Sequence, residues 1–353
     1  MTIRIIGGGV IGFSVAYHLS RTTKDIFVYE IDESYTKASF SRSCGGLRCQ
    51  FSQASNVLMS LYSIDFIRRT TDVPIVPNGY LMLFDESRRA DHDASLAIQC
   101  NLGAKTKSFS ADALKTLIPE LFVDDLYRGC LTDDGSEGWV DPVRLHHWFK
   151  DEAISNGVSI RFKDFHHERF GASDTIIVCA GCWSRSIASE FGVDLPIIGD
   201  KHTVYNFKTT RPQKGDLPLV ADLTTGVYVR PEGDGYIVGY SGNSEGETEN
   251  LEPNWALWEE VWGLLYYRFP NLFDEVKLMG AWAGFYDACQ LDQNAIIDQK
   301  KGIYFATGFT GRGLMHSPAV GLAVSELVLN LPMTFDLRDY QLDRAPTVEK
   351  YVI

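Results

Sequence analysis

The sequence predicts an α/β fold with an added antiparallel β region, the two interleaved along the chain. Three observations carry that reading. Residues 1–30 run strand, glycine turn, helix, strand. Residues 201–286 are rich in strands and turns, and after residue 290 the β–α rhythm returns and ends in a second glycine-rich turn.

Ile3, Ile5 and Ile6 begin a short strand that breaks into Gly7-Gly8-Gly9-Val10-Ile11-Gly12 and feeds an amphipathic helix through Leu19. A second β-rich run, Ile26-Phe27-Val28-Tyr29, ends on Glu30. This is the order in which a Rossmann-like unit binds a dinucleotide. Gly7 permits the tight turn, Gly9 lets backbone approach a pyrophosphate, and Gly12 allows helix and strand to close up. The free N–H groups and partial positive charge of the helix N-terminus suit phosphate. Glu30 stands where an acid accepts the ribose hydroxyls.

At 353 residues the chain has ample core, and 45% apolar with 22% charged residues is ordinary for a globular protein. A net charge of −13 argues against a nucleic-acid or anionic-membrane surface. The most apolar stretch, Ile5 to Leu19, is too short to span a membrane. The first strand leaves no room for a secretory leader, so a cytoplasmic location is expected. Seven scattered cysteines suit a reducing compartment. Cys179 and Cys182 have redox-motif spacing, but no second pair stands at zinc spacing, and no metal is expected.

The run Ser39 to Arg48 joins small residues, the Gly45-Gly46 pair and two arginines into a loop able to lie on an anionic or planar ligand. Ala54 to Thr70 reads as a helix, Gly79 to Phe84 as a strand, and helical stretches end near Leu102 and begin at Ser110. Asp141-Pro142 is a helix start with a cap and a first-turn proline. Val158–Phe162 and Thr175–Val178 are strands; His146-His147 and His166-His167 read as surface or core histidines. His202 to Phe207 alternates, and Gly226 to Tyr240 reads as a hairpin across Gly233-Asp234-Gly235. Trp255 to Arg268 is an aromatic-rich helix, followed by a strand at Ala281–Tyr286. Ile296–Asp298 and Ile303–Ala306 are strands, and a helix is expected from about Ser317 to Leu329. Two glycine-rich turns feeding helix N-termini, one near each end, suit a long ligand with two anionic or electron-accepting regions, and FAD fits better than NAD.

Four segments carry a family resemblance. They are Ile6–Gly12 with Glu30; Gly45-Gly46-Leu47-Arg48-Cys49-Gln50-Phe51-Ser52; Ile177 to Ser184, with Ala180-Gly181-Cys182-Trp183; and Phe305 to Gly313. Together they resemble the D-amino-acid-oxidase-like FAD-dependent oxidoreductases. The second is similar to the branch holding sarcosine oxidase β-subunits, dimethylglycine dehydrogenase and mitochondrial FAD-dependent oxidoreductase domain proteins. The resemblance implies a Rossmann-like FAD-binding domain (residues 1–75, 140–200 and 290–353) interleaved with a mixed or antiparallel-sheet substrate domain (76–139 and 201–289). It implies non-covalent FAD, since no cysteine stands within Gly284 to Tyr286.

By the same resemblance, Ser43 to Arg48 and the Ala180, Gly181 and Trp183 segment contact FAD. Asp292 holds its middle, and the turn of Gly308, Gly311, Arg312, Gly313, Leu314 and Met315 holds its flavin end. The implied chemistry is oxidation of a C–N bond in a secondary or N-substituted amine or amino acid, by hydride transfer to flavin N5 and hydrolysis of the imine. Where relatives that act on free amino acids carry a carboxylate-gripping arginine, this chain has Tyr286. Arg312, Arg230 and Arg48 are the substitutes, in that order, with Tyr228, Tyr240 and Tyr286 as pocket tyrosines. Apolar residues at Tyr236–Val238, where oxidases of the family have a lysine, point to a dehydrogenase with an unknown acceptor. A same-fold 2-hydroxy-acid dehydrogenase, or a weakly catalytic FAD-binding subunit or assembly factor in a larger complex, stays open as an alternative.

Overall fold

The computed structural model describes residues 2–132, 134–168, 170–246 and 250–352. The first half runs β1 (Ile3–Ile6), α1 (Val10–Ser20), β2 (Ile26–Glu30), β3 (Gly46–Leu47), α2 (Ala54–Thr70), β4 (Ile75–Val76), β5 (Tyr80–Asp85), α3 (Arg89–Asn101), β6 (Lys107–Ser110), α4 (Ala111–Leu117), β7 (Leu126–Leu131) and β8 (Gly138–Val140). It continues with α5 (Pro142–Ser155), β9 (Ser159–Phe162), β10 (Thr175–Val178), α6 (Ser184–Glu190), β11 (Ile197–Thr209), β12 (Leu219–Asp222), β13 (Val227–Glu232) and β14 (Gly235–Tyr240). The last elements are α7 (Trp258–Arg268), β15 (Val276–Cys289), β16 (Ile296–Lys300), β17 (Ile303–Thr307) and α8 (Gly313–Leu329).

One sheet has the order β16-β17-β10-β1-β2-β9. It is parallel except for the β16–β17 hairpin. Its central strands are covered on both faces, which is why they read as unbroken apolar runs. Helix α1 is buried at every position and packs between α5 and α8. The Ser14 hydroxyl donates to Ser317 O at 2.6 Å, and Gly321 leaves no room for a Cβ beside Ser14. The two ends of the chain are thereby locked together.

The second sheet has the order β15-β11-β14-β13-β12-β5-β7-β6 and is antiparallel except where β12 meets β5. Alternation sorts its side chains. Leu81, Leu83, Val229 and Val238 face α7, whose Leu265 and following Phe269 and Phe273 complete one core. Tyr80, Met82, Leu219 and Tyr228 face the other way, toward the first sheet. A small sheet, β3-β8-β4, sits between.

Two expectations shift. The last helix starts at Gly313, not near Ser317, and carries Pro318 inside it. The missing proline N–H would strand the Leu314 carbonyl, but the Ser317 hydroxyl donates to it at 2.8 Å. Strands β11 and β15 are 13 and 14 residues long, because mutual pairing from Ile197↔Cys289 to Thr209↔Val276 holds polar residues that break the local pattern. Among the described residues, no helix is long and apolar enough to cross a membrane.

Candidate active site

A cavity of about 890 Å3 lies between the two large sheets, at the C-terminal ends of β1 and β17. At one end the chain leaves β1 through Gly7, whose φ of +104° and contact with the Cys179 carbonyl exclude a side chain. A Cβ on Gly12 would overlap the Gly7 carbonyl oxygen. Gly9 differs: an added Cβ would meet no protein atom within 4 Å, and the residue lines the cavity with Val10 and Ile11. Glu30 is fixed by accepting Gly8 N at 2.8 Å and Asp32 N at 3.0 Å. Below the turn His146 is fully buried, stacks on Phe40 at 3.9 Å and donates from Nε2 to Gly8 O at 2.9 Å. Burial pushes its pKa down to about 4, so it is neutral at neutral pH. The sequence reads His146 as a surface or core histidine; it is a core one, and nothing local ties it to Gly8.

At the other end Gly308, Thr310 and Gly311, all at positive φ, turn the chain from β17 into α8. Gly308 N donates to Asp287 Oδ2 at 2.7 Å, and burial pushes the Asp287 pKa up to about 6. The N-terminal residues of α8, Gly313 to Met315, line the same cavity as those of α1. Two helix N-termini thus converge on one space.

Arg48 and Arg312 are both buried in this wall and flank the Phe51 ring, with guanidinium carbons 3.9 and 5.9 Å from its centroid. Arg48 donates to Gln50 O and Tyr351 O. Arg312 donates from Nη2 to Gln293 O and, at 3.3 Å, to Asn294 Oδ1. Arg48 Nε and Arg312 Nη1 meet no partner among the described residues. Between the sheets the wall is aromatic. Tyr228 OH lies 3.8 Å from Cys44 Sγ, and Tyr286 stacks on His202 at 4.1 Å while its ring closes on Gly311. Burial raises the pKa of both tyrosines.

Of the residues singled out from sequence, Gly7, Gly9, Val10, Ile11, Glu30, Ser43, Gly46, Arg48, Ala180, Gly181, Trp183, Tyr228, Tyr286, Gly311, Arg312, Gly313, Leu314 and Met315 meet in this one wall. Gly12, Gly45 and Gly308 do not line it; each is a backbone packing point, Gly45 against Val140 O and Gly308 against Ile197. Arg230 lies outside the wall, over Trp139, donating to Cys44 O at 2.9 Å and Pro231 O at 2.8 Å and paired with Glu232. Tyr240 pairs with Val227 and packs on the α7 side of the sheet. Asp292 is bound to Arg344 at 2.6 Å and holds the C-terminal segment instead of lining the cavity. His166, read as a surface or core histidine, is exposed at the edge of this wall with its ring nitrogens on Asp164 and Glu190.

Residues 2–327 match the model of the FAD dependent oxidoreductase family. The chain belongs to that family. Among its relatives, FAD-dependent oxidoreductase domain-containing protein 1 of Bos taurus is 33% identical over 92% of this chain and 80% of its own length. 4-Methylaminobutanoate oxidase (formaldehyde-forming) of Paenarthrobacter nicotinovorans is 22% identical over 94% of this chain and 44% of its own. The fold is shared with L-proline dehydrogenase from P. horikoshii, at a TM-score of 0.87, 23% identity and 96% coverage of both chains. The family's cofactor is FAD, and this flavoprotein's cavity fits it. Gly9 leaves open the space a side chain would fill, two helix N-termini face the cavity, and Glu30 lines it beside the first of them.

Proposed function

We propose that this flavoprotein oxidises a C–N bond of a secondary or N-substituted amino acid, with non-covalent FAD and as a dehydrogenase more than an oxidase. The observation that carries it is the pair of buried arginines in this wall, Arg48 and Arg312, whose Nε and Nη1 respectively meet no partner among the described residues. A buried donor without an acceptor costs about 1–3 kcal/mol, and a substrate carboxylate would recover it. Bound FAD supplies the two-electron acceptor for the α-hydrogen. The protein's tasks are then to anchor the carboxylate, exclude water with Tyr80, Leu219, Tyr228 and Tyr286, and aim the α-carbon. Relatives named for dimethylglycine and 4-methylaminobutanoate support an N-alkylated substrate. Ile237 and Val238 are buried and apolar, so no cation stands there to favour reaction with oxygen. Cys289 lies outside the wall, beside Thr310 and Arg344, which supports non-covalent FAD.

Anaerobic mixing with N-methyl, N-carboxyalkyl and free amino acids and with 2-hydroxy acids tests this. Bleaching of the flavin band by the amines supports it, and bleaching by hydroxy acids alone overturns it. A flavin left oxidised by every compound would favour the non-catalytic subunit reading. Arg312→Ala is expected to cut kcat/KM for the carboxylate substrate roughly 10²-fold or more, as for loss of one partner of a buried charge pair. The corresponding amide should be far less affected; equal losses for both would remove Arg312 from this role.

A further inference from the structure

His202 and Asp200 stand two apart on β11 and so share a face. His202 Nε2 is 3.1 Å from Asp200 Oδ2, while Asp200 Oδ1 accepts Ser244 Oγ at 2.7 Å and Gly246 N at 3.1 Å. Burial alone would raise the Asp200 pKa, but the bonds from His202 and Ser244 outweigh it and hold the carboxyl below its usual value. An ionised Asp200 accepts, so the Nε2 of His202 carries the donated proton and Nδ1 is the ring nitrogen left to take another. The imidazole lies in the cavity wall, stacked on Tyr286.

Four other ionisable groups around the pair already have partners. Lys201 pairs with Glu245 and donates to Glu252 O. Arg42, packed over Gly284 opposite His202 on β15, donates to Ala283 O and Thr36 O. Asp287 accepts from the Gly308 turn. His166, the other histidine of the wall, is held at both ring nitrogens.

A secondary amino acid is an ammonium at neutral pH, and an α-hydrogen cannot leave as hydride beside a nitrogen with no lone pair. With an ammonium pKa of about 10, roughly a thousandth is neutral at pH 7. We infer that His202, supported by Asp200, accepts the ammonium proton of the bound substrate. The N–H bond breaks, an Nδ1–H bond forms and Asp200 stabilises the imidazolium, which leaves the nitrogen a lone pair to form the C=N bond; bound FAD would be the acceptor of the α-hydrogen and its electron pair. This role rests on the amine-oxidation reading above.

The test is anaerobic reduction of the holoenzyme between pH 6 and 10.5, using the amine that bleaches wild type fastest. Wild type should reach its plateau near neutrality. His202→Gln should lose roughly 10²-fold or more at pH 7.5 and regain wild-type rates near pH 10, where the substrate deprotonates itself; Asp200→Asn should fall between. A second readout is calorimetry in two buffers with an N-methyl amino acid that lacks an α-hydrogen. Wild type should bind it at pH 8 without releasing a proton, and His202→Gln should release about one proton. A loss in His202→Gln that is equal at all pH values, no loss at pH 7.5, or identical proton counts would overturn the role alone. If no amine reduces wild type at any pH, the amine reading falls and the role with it.

Discussion

Gly9 and Gly12 are chemically identical and do different work. At Gly12 a Cβ would collide with the Gly7 carbonyl oxygen, so the residue serves the fold. At Gly9 the protein leaves open space, so only a ligand is displaced. Gly9→Val should therefore purify folded, with the thermal stability of wild-type apoprotein, but colourless; a yellow Gly9→Val protein would refute the pyrophosphate assignment. Gly12→Val should show a lowered Tm before any question of colour arises. The sequence made both glycines legible because strand, helix and acid flanked them. It could not tell which one faces ligand, since that depends on Cys179 and Gly7 carbonyls brought in by tertiary packing.

Among the elements, β8 and the segment after β3 are clamped by Glu137, fully buried, which accepts Cys49 N at 2.7 Å and Gln50 Nε2 at 2.9 Å. Burial pushes its pKa up to about 7, despite these bonds and the charge of Arg48. A folded-state pKa above the unfolded one means the contribution is complete below about pH 4.5 and is lost as pH rises through 7. Glu137→Gln, compared with wild type by urea unfolding at each pH, should gain relative stability between pH 5 and 8, by at most roughly 3 kcal/mol. A difference that stays flat with pH would show the carboxylate is ionised throughout. This clamp was invisible in sequence, since a lone glutamate before Gly138 has no periodic signature. Arg230 and Tyr240 fail for related reasons. Arg230 shares a face with Tyr228, but Trp139 and the Cys44 carbonyl close over it; Tyr240 falls on the opposite face by the hairpin register.

Across the whole molecule, residues 344–352 bind both halves. Arg344 pairs with buried Asp292, Glu349 accepts Ser52 N at 2.8 Å and Asn56 Nδ2 at 2.8 Å, and Tyr351 packs on the second sheet while its carbonyl receives Arg48. Arg344→Ala leaves the Asp292 carboxylate buried and unpaired, and should cost about 3–5 kcal/mol in denaturant unfolding; a loss under 1 kcal/mol would show the pair is solvated. Family resemblance puts Asp292 at the middle of the cofactor, whereas the structure bonds it to Arg344, 52 residues on, a pairing beyond any local pattern. Denaturing the purified protein should send the yellow colour into the supernatant, and colour retained on the precipitated chain would reveal a covalent link.

The contact of α1 with α8 also governs the order in which the protein can be made. A ribosome releases the glycine turn first, yet β1 gains its partner β10 only after Val178 emerges, and the second helix terminus only after Met315. Until then α1, buried on every side in the finished fold, has no cover on the face that α8 will take. Such long-range pairings are slow and leave sticky surface in transit. The cavity that holds flavin is therefore complete only once α8 has emerged and packed on α1.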